Sequence, residues 1–96
     1  MRDGAVLVNA ARGGIAGTDA LIVELKTGRL RAALDVTAPE PLPEGHPLWS
    51  APGVLITPHI AGSTPASGRR VLRLIRAQLL RHLAGEPLVN VITDTY

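Results

Sequence analysis

Three short apolar runs alternate with segments of helical periodicity along this 96-residue chain. The runs cover residues 5–9, 30–36 and 54–57, and polar or glycine-containing segments separate them. Continuous apolar runs of this length are typical of strands that are buried on both faces of a parallel sheet. The pattern therefore predicts an α/β fold with three or so parallel strands.

Between the first two runs lies a segment with the signals of a short helix. Leu21, Ile22 and Leu25 recur at helical spacing, which predicts one buried face. Thr18 is the predicted cap at the start, and Gly28 stands where a left-handed C-terminal residue is expected. A strand, a helix and a second strand in this order predict a right-handed parallel crossover unit.

A longer helix is predicted after the third run, ending at about Ala84. Ser63 or Thr64 can cap it, Pro65 falls in its first turn and Gly85 follows its end. Its apolar side and its basic side lie mostly opposite each other. The apolar side comprises Val71, Leu72, Leu74, Ile75, Leu79 and Leu83, and the basic side comprises Arg69, Arg70, Arg73 and Arg76. Residues 88–92 are predicted to be a short extended tail with nothing after it to pair against.

The segment between the second and third strands, residues 37–53, is rich in proline, at positions 39, 41, 43, 47 and 52. Because proline lacks a backbone donor and fixes φ, this segment is predicted to be a stiff, shaped loop. Long loops in compact domains are usually functional or disordered. Leu48 and Trp49 are predicted to anchor this loop to the body, which favours an ordered loop.

Composition narrows the class of protein. The chain is 46% apolar, which supports one small core, and it has no cysteine, which excludes disulfides and thiolate metal sites and favours a cytoplasmic location. No apolar run approaches the roughly 20 residues of a spanning helix. His46, His59 and His82 lack metal-ligand spacing, so no metal is expected. The net charge of +2 comes mainly from arginines on one helix, and one Trp and one Tyr offer little base stacking. Neither a membrane nor a nucleic acid is the expected partner.

Polar groups that chemistry can use follow the predicted strand ends. Arg12, Glu40 and His59 supply a cation, a carboxylate and a proton carrier. Taken singly they have ordinary explanations, as a surface cation, a solvated loop charge and a structural histidine. Asp35 differs, because a carboxylate within a buried run needs a ligand or a backbone donor as partner. In open parallel sheets ligands bind outside the carboxyl ends of the strands, so the four positions together predict an enzyme site.

These motifs resemble the D-isomer-specific 2-hydroxyacid dehydrogenases. The similarity lies in residues 4–15, the Ala-Leu-Asp-Val and Glu-Pro segments, residues 46–49 and the Thr-Pro-His-Ile-Ala-Gly run at 57–62, in order from Met1 to about Ile92. It implies a partial Rossmann-type, doubly wound parallel sheet, the C-terminal half of a dinucleotide-binding domain, with a long C-terminal helix. Residues 1–84 would form that half with the return helix, and residues 85–96 would lead back to a substrate domain. Full-length members are expected to be homodimers.

The resemblance also implies a role for each site residue. Arg12 would bind the carboxylate and carbonyl of a 2-oxo acid, and His59 would protonate the carbonyl oxygen as hydride arrives. Glu40 would hydrogen-bond His59 and favour the imidazolium, and Asp35 would hold the nicotinamide carboxamide. The residues expected to line the nicotinamide side are Ala10, Ala11, Arg12, Asp35, His59, Ile60, Ala61 and Gly62. The implied activity is NAD-dependent hydride transfer between a 2-hydroxy acid and its 2-oxo acid, with NADP not excluded.

The sequence departs from the family mainly by what it lacks. The glycine-rich pyrophosphate loop, the acidic ribose-binding residue and almost all of the substrate domain do not occur in it. This suggests a start codon inside a longer gene, a split gene or a truncated remnant, and an isolated chain without turnover. The alternative is a non-catalytic remnant or interaction module, whose basic helix from Arg69 to His82 binds an acidic partner or nucleic acid.

Overall fold

A computed structural model describes residues 1–93 of the chain. The chain divides into two compact units, Met1–Ala61 and a second that begins at Gly62. The first unit holds all the strands of the described chain, and the second holds its longest helix. No helix within residues 1–93 is both long and apolar enough to cross a membrane.

The first unit contains a three-stranded parallel sheet. Strands β1 (Val6–Asn9), β2 (Arg31–Leu34) and β3 (Val54–Ile56) lie in the order β1-β2-β3. Asn9 lies opposite Leu34, and Leu34 lies opposite Ile56, so all the strands end level at their carboxyl ends. The predicted parallel α/β arrangement is confirmed, with strands that are shorter than the apolar runs.

The core lies on one face of this sheet, between the strands and helix α1 (Thr18–Lys26). Leu25 is completely buried there, because alternate strand residues and the apolar side of the helix meet. The buried cluster comprises Leu21, Ile22, Leu25, Ala32, Leu34 and Leu48. On the opposite face, Val8 is 70% exposed and Leu55 is 62% exposed. The prediction of strands buried on both faces is therefore wrong for the first unit, whose own residues supply an apolar layer to one face only.

The ends of α1 confirm one prediction and correct another. Gly28 has a φ of +72°, the left-handed conformation expected after the helix. Thr18, however, is the first helical residue, and Gly17 is the N-cap, without a side-chain bond. The Thr18 hydroxyl instead donates to the Ala38 carbonyl, at 2.8 Å, and so ties the helix to the proline-rich loop.

The proline-rich loop is held by one of its two predicted anchors. Leu48, in a short 3₁₀ helix at Pro47–Ser50, is 1% exposed and belongs to the core. Trp49 is 55% exposed, and its indole N–H donates to the Pro43 carbonyl of the same loop, at 3.0 Å. The prediction that Trp49 anchors the loop to the body is therefore wrong, because its ring stabilises the loop internally.

The second unit is built on helix α2 (Pro65–Leu83), as predicted. The Thr64 hydroxyl caps it by accepting the backbone N–H of Ser67, at 3.1 Å. The tail was predicted to be extended, with nothing after it to pair against, but it bends at Val89 and Asn90. The amide of Gln78 bonds both the N–H and the carbonyl of Val89, and Asn90 has a φ of +57°. Thus a polar side chain of α2 holds the tail.

Candidate functional site

The site lies at the carboxyl edge of the sheet, where loops follow all the strands. The ladder continues one residue past the strands, because Asp35 N–H donates to the Asn9 carbonyl and Thr57 N–H donates to the Leu34 carbonyl, each at 2.9 Å. Asp35 and Thr57 therefore leave the sheet side by side. This alignment brings together residues that are far apart in the sequence.

The structure joins two of the predicted catalytic residues directly. His59 Nδ1 lies 2.6 Å from Glu40 Oε1, and both side chains are roughly half exposed. An ionised carboxylate only accepts hydrogen bonds, so Nδ1 carries the proton of this bond. His59 also has a φ of +54°, and its N–H donates to the Thr57 carbonyl, at 3.0 Å. A tight turn thus presents the imidazole to Glu40 and leaves Nε2 available.

The Asp35 carboxylate organises the backbone around that histidine. Its Oδ1 accepts the Thr57 hydroxyl, at 2.5 Å, and the N–H of Ile60, at 2.9 Å. Its Oδ2 accepts the N–H of Ala61, at 2.8 Å. We call this set of three bonds the Asp35 clamp. The bond from Thr57, followed by the two backbone bonds, holds the pKa of Asp35 below its usual range, although burial opposes this.

The loop after β3 thus provides the hydrogen-bond donors that a buried carboxylate at Asp35 requires. Asp35 is 8% exposed, in agreement with the burial expected from the apolar run. Of the two partners expected for Asp35, a ligand or a backbone donor, the structure shows backbone donors, the N–H groups of Ile60 and Ala61. Its expected contact with a nicotinamide carboxamide stays a prediction.

Arg12 is held at the same edge by its backbone, while its side chain is exposed. The buried Asn9 accepts the N–H of Ala11, at 3.1 Å, and donates to the Arg12 carbonyl, at 2.9 Å. The guanidinium donates to the neighbouring Ala11 carbonyl, at 2.7 Å. Within residues 1–93 no hydrogen bond or ion pair joins Arg12 to Glu40 or His59. Sequence reasoning gave Asn9 no role, although a polar residue ending a buried strand was the available signal.

Gly13 joins the loop of Arg12 to the loop of Glu40. The two backbones approach so closely that a Cβ on Gly13 would lie 1.9 Å from the Thr37 carbonyl oxygen. Only glycine permits this contact without a backbone shift. Thr18, bonded to Ala38, reinforces the same junction. Neither Gly13 nor Thr18 was identified from the sequence as a residue that holds the site together. The only local signal was the Gly-Gly pair after β1.

Two of the cavities at this edge of the first unit border Asp35. One, of about 240 Å³, is lined by Glu40, His59 and Thr57 and by the apolar side chains of Leu42 and Trp49. The other, of about 200 Å³, is lined by several of the predicted cofactor residues. Its lining comprises Val8, Asn9, Ala10, Ala33, Leu34, Asp35, Leu55, Thr57 and Ala61. Asp35 and Thr57 therefore border both cavities.

The other predicted cofactor residues do not line this second cavity. Ala11, Arg12 and Ile60 are exposed on the loops at this edge, and Gly62 begins the second unit. Among residues 1–93, no group of three or more His, Asp or Glu side chains is arranged to hold a metal ion.

Comparison with known proteins identifies the family. Residues 1–61 match the family model for the NAD-binding domain of D-isomer specific 2-hydroxyacid dehydrogenases. The chain belongs to the D-isomer specific 2-hydroxyacid dehydrogenase family. This confirms three expectations from the sequence. They are the resemblance in the motifs, the partial Rossmann-type fold with its long helix, and the nicotinamide class of cofactor.

Relatives within the D-isomer specific 2-hydroxyacid dehydrogenase family agree in sequence and in structure. Human glyoxylate reductase/hydroxypyruvate reductase is 40% identical over 89 residues, which cover 92% of this chain and 27% of that protein. A family member from Xanthobacter autotrophicus Py2, solved with NADPH and MES, has a TM-score of 0.80 at 40% identity, covering 96% of this chain and 38% of its own. D-lactate dehydrogenase from Lactobacillus jensenii, solved with NAD+, has a TM-score of 0.82 at 30% identity, covering 98% and 32%. The chain thus spans well under half the length of each relative.

Proposed function

We propose that the chain supplies the proton-transfer and carboxylate-binding part of an NAD-dependent dehydrogenase site for a 2-hydroxy acid and its 2-oxo acid. The observation that carries this proposal is the Glu40–His59 pair, at 2.6 Å, at the carboxyl edge of a parallel sheet. Such an edge is where ligands bind in this class of fold. The rest of the site would come from chain segments that the relatives have and this sequence does not.

The cavity of about 200 Å³ beside Asp35 combines an apolar lining with a hydrogen-bond acceptor, as a nicotinamide ring requires. Val8 and Leu55 give it an apolar lining, and the nearly buried Asp35 gives it a carboxylate. A carboxylate offers about four acceptor positions, and the Asp35 clamp occupies three, so one remains for a carboxamide N–H. When bound, the cofactor supplies hydride chemistry, and the protein supplies position and field. Ala10, directly after β1, and Ala61, in the loop after β3, would border the ring.

His59 is suited to donate a proton to a substrate carbonyl. Because Nδ1–H is engaged with Glu40, the ring orientation is fixed and Nε2 is the nitrogen that can exchange a proton. In the direction of reduction, protonated Nε2 would give its proton to the carbonyl oxygen of the 2-oxo acid. In the direction of oxidation, the neutral nitrogen would accept the proton of the hydroxyl. Glu40 would hold the ring through Nδ1 in both directions and favour the imidazolium form.

Arg12 is suited to hold the substrate carboxylate. Its guanidinium is exposed, and its only described side-chain bond within residues 1–93 goes to the neutral carbonyl of Ala11. A charged carboxylate forms a stronger, two-pronged bond with guanidinium than a backbone carbonyl does. Replacing that carbonyl with a substrate is therefore favourable. The names of the human and Lactobacillus relatives, which refer to glyoxylate, hydroxypyruvate and lactate, point to small acids as substrates.

The finer expectations complete the proposal. We expect the 96-residue polypeptide alone to bind NAD weakly and to show no turnover, because it has no glycine-rich loop for the pyrophosphate. Homodimerisation of the full-length protein, a cytoplasmic location and the absence of nucleic-acid or membrane partners stay predictions. So does the division into residues 1–84 and 85–96, whose last three residues lie outside the described chain.

A chimera tests the proposal. Residues 1–92 replace the matching segment of the human relative, and oxidation of NADH and NADPH is followed with glyoxylate, hydroxypyruvate and pyruvate. We expect the chimera to turn over at least one of these acids and the isolated chain to turn over none. His59→Asn in the chimera should lower kcat by about 100-fold or more, the usual contribution of a general acid. Asn suits this test because it adopts the left-handed backbone of residue 59 more readily than most residues.

His82→Asn is the matched control, since His82 is exposed on α2, outside the Glu40–His59 pair. It should leave kcat unchanged. Full activity of His59→Asn would refute the role of His59, and strong turnover by the isolated chain would refute the partial site. A folded chimera without activity on any of the acids would favour the non-catalytic interaction module.

A further inference from the structure

We propose that Thr57 is a positioning residue for His59, acting through the Asp35 clamp. The inference rests on the proposed function of His59 and adds a residue that the resemblance did not assign. Thr57 lies two residues before His59, and its hydroxyl points at Asp35 and not at the imidazole. Its action is therefore indirect, through the carboxylate that holds the following backbone.

The Asp35 clamp bonds the chain both before and after His59. Asp35 bonds the hydroxyl of Thr57 on one side of His59 and the N–H groups of Ile60 and Ala61 on the other. The chain between these points must turn sharply, and it does so with His59 in the left-handed region. Non-glycine residues seldom adopt that conformation without support from their surroundings. The three bonds to one nearly buried carboxylate provide that support.

The hydroxyl decides how the carboxylate is oriented. Thr57 and Asp35 leave adjacent strands in register, so the short bond between Thr57 Oγ1 and Asp35 Oδ1 fixes the carboxylate plane against the sheet. In that orientation Oδ2 faces Ala61 and Oδ1 faces Ile60. Without the hydroxyl, the carboxylate can rotate, both backbone bonds weaken, and the turn that presents His59 to Glu40 loosens. Thr57, directly after β3, would thus position the imidazole of His59 without touching it.

Nuclear magnetic resonance on the full 96-residue chain tests the clamp without any need for activity. Thr57→Val removes the hydroxyl and keeps the branched shape, and Thr57→Ser keeps the hydroxyl as the matched control. In Thr57→Val we expect the amide protons of Ile60 and Ala61 to exchange with solvent about tenfold faster, the factor that one lost hydrogen bond represents. The ¹⁵N resonance of His59 Nδ1 should move away from its hydrogen-bonded position. Thr57→Ser should match the wild type in both signals.

Unchanged exchange and an unchanged His59 resonance in Thr57→Val would overturn the proposal, and so would a serine variant that behaves like valine. Should Thr57→Val fail to fold, the wild-type chain supplies a second measurement. The Ile60 and Ala61 amide resonances should titrate with the Asp35 carboxyl, since protonation weakens the bonds they make. The titration is repeated in Glu40→Gln, which removes the other carboxylate of the cleft near His59. Amides that do not follow Asp35 would refute the clamp.

The chimera separates this inference from the proposed function. In an active chimera, Thr57→Val should lower kcat more than it changes KM, and Thr57→Ser should restore kcat, because a mispositioned proton carrier slows chemistry more than binding. An equal loss in both variants would contradict the role of the hydroxyl. An inactive chimera combined with the expected resonance changes would refute the proposed function while leaving the clamp intact.

Discussion

Replacing Gly13 with alanine should break the junction between the loop of Arg12 and the loop of Glu40. An added Cβ would lie 1.9 Å from the Thr37 carbonyl oxygen and 2.1 Å from its carbon, where real contacts essentially never fall below 3.0 Å. The separation must therefore grow by at least about 1 Å. Both neighbours are backbone atoms, so no side-chain rotation can relieve the clash.

The cost follows from that shift. Overpacking that moves backbone typically destabilises a protein by about 1–3 kcal/mol. A unit of this size has a free energy of unfolding of roughly 3–9 kcal/mol, so the loss is a large part of its stability. With a urea m-value near 1 kcal/mol/M for so small a unit, the unfolding midpoint should fall by about 1–3 M. The displaced Thr37 backbone should also carry Glu40 away from His59.

Gly14→Ala is the matched control, because a Cβ there meets no atom within 4 Å. It should leave the free energy of unfolding unchanged or raise it by up to about 1 kcal/mol. Urea unfolding is followed by the fluorescence of Trp49, the chain's single tryptophan, which lies in the first unit. An unchanged midpoint in Gly13→Ala, or an equal drop in Gly14→Ala, would refute the steric reasoning.

Three further predictions address the core, the clamp and the helix cap. Leu25→Ala removes a completely buried side chain and should lower the free energy of unfolding in urea by about 2–5 kcal/mol. Val23→Ala, at a 61% exposed position of the same helix, is the control and should lower it by under about 0.5 kcal/mol. Equal losses would contradict the assigned core face. Because the pKa of Asp35 is lowered in the folded chain, its contribution to stability is present above the unfolded value of about 3.9 and is lost as the pH falls through the folded value. The urea midpoint should therefore drop between pH 5 and pH 3 less steeply in Asp35→Asn, and an identical drop would argue against the clamp as its cause. Thr64→Ala removes the cap of α2 and should cost about 1 kcal/mol, seen as reduced helical circular dichroism. Ser63→Ala, beside it, should leave the signal unchanged, and equal effects would show that Thr64 is no cap.

The parts of the site that could be predicted from sequence depend on strand ends. A polar residue that ends an apolar run must lie at the carboxyl edge of a parallel sheet, and the motifs around Glu40 and His59 indicated which polar residues matter. The structure places these two in contact, as their expected roles require. For Asp35 the sequence predicted either a ligand or a backbone donor as partner, since a buried carboxylate needs one, and the structure shows two backbone donors.

The remaining contacts could not be predicted, because they join residues that only the tertiary fold brings together. The pattern near Thr18 indicated a local cap, but its hydroxyl meets Ala38, 20 positions away. The contact between Gly13 and Thr37 leaves no periodic trace, and neither does the bond from Thr57 to Asp35. Trp49 was misplaced for a related reason. Its size favours burial, but a carbonyl within its own loop offered its N–H a partner at the surface.

The left-handed backbone at His59 also restricts how this position can evolve. Asn and Asp are the non-glycine residues that most readily share this conformation, while a β-branched replacement would strain the turn. Single-nucleotide changes in a histidine codon reach both Asn and Asp, so the most accessible tolerated mutations preserve the fold and remove the imidazole. Drift at residue 59 would thus produce folded descendants without a proton carrier more readily than unfolded ones.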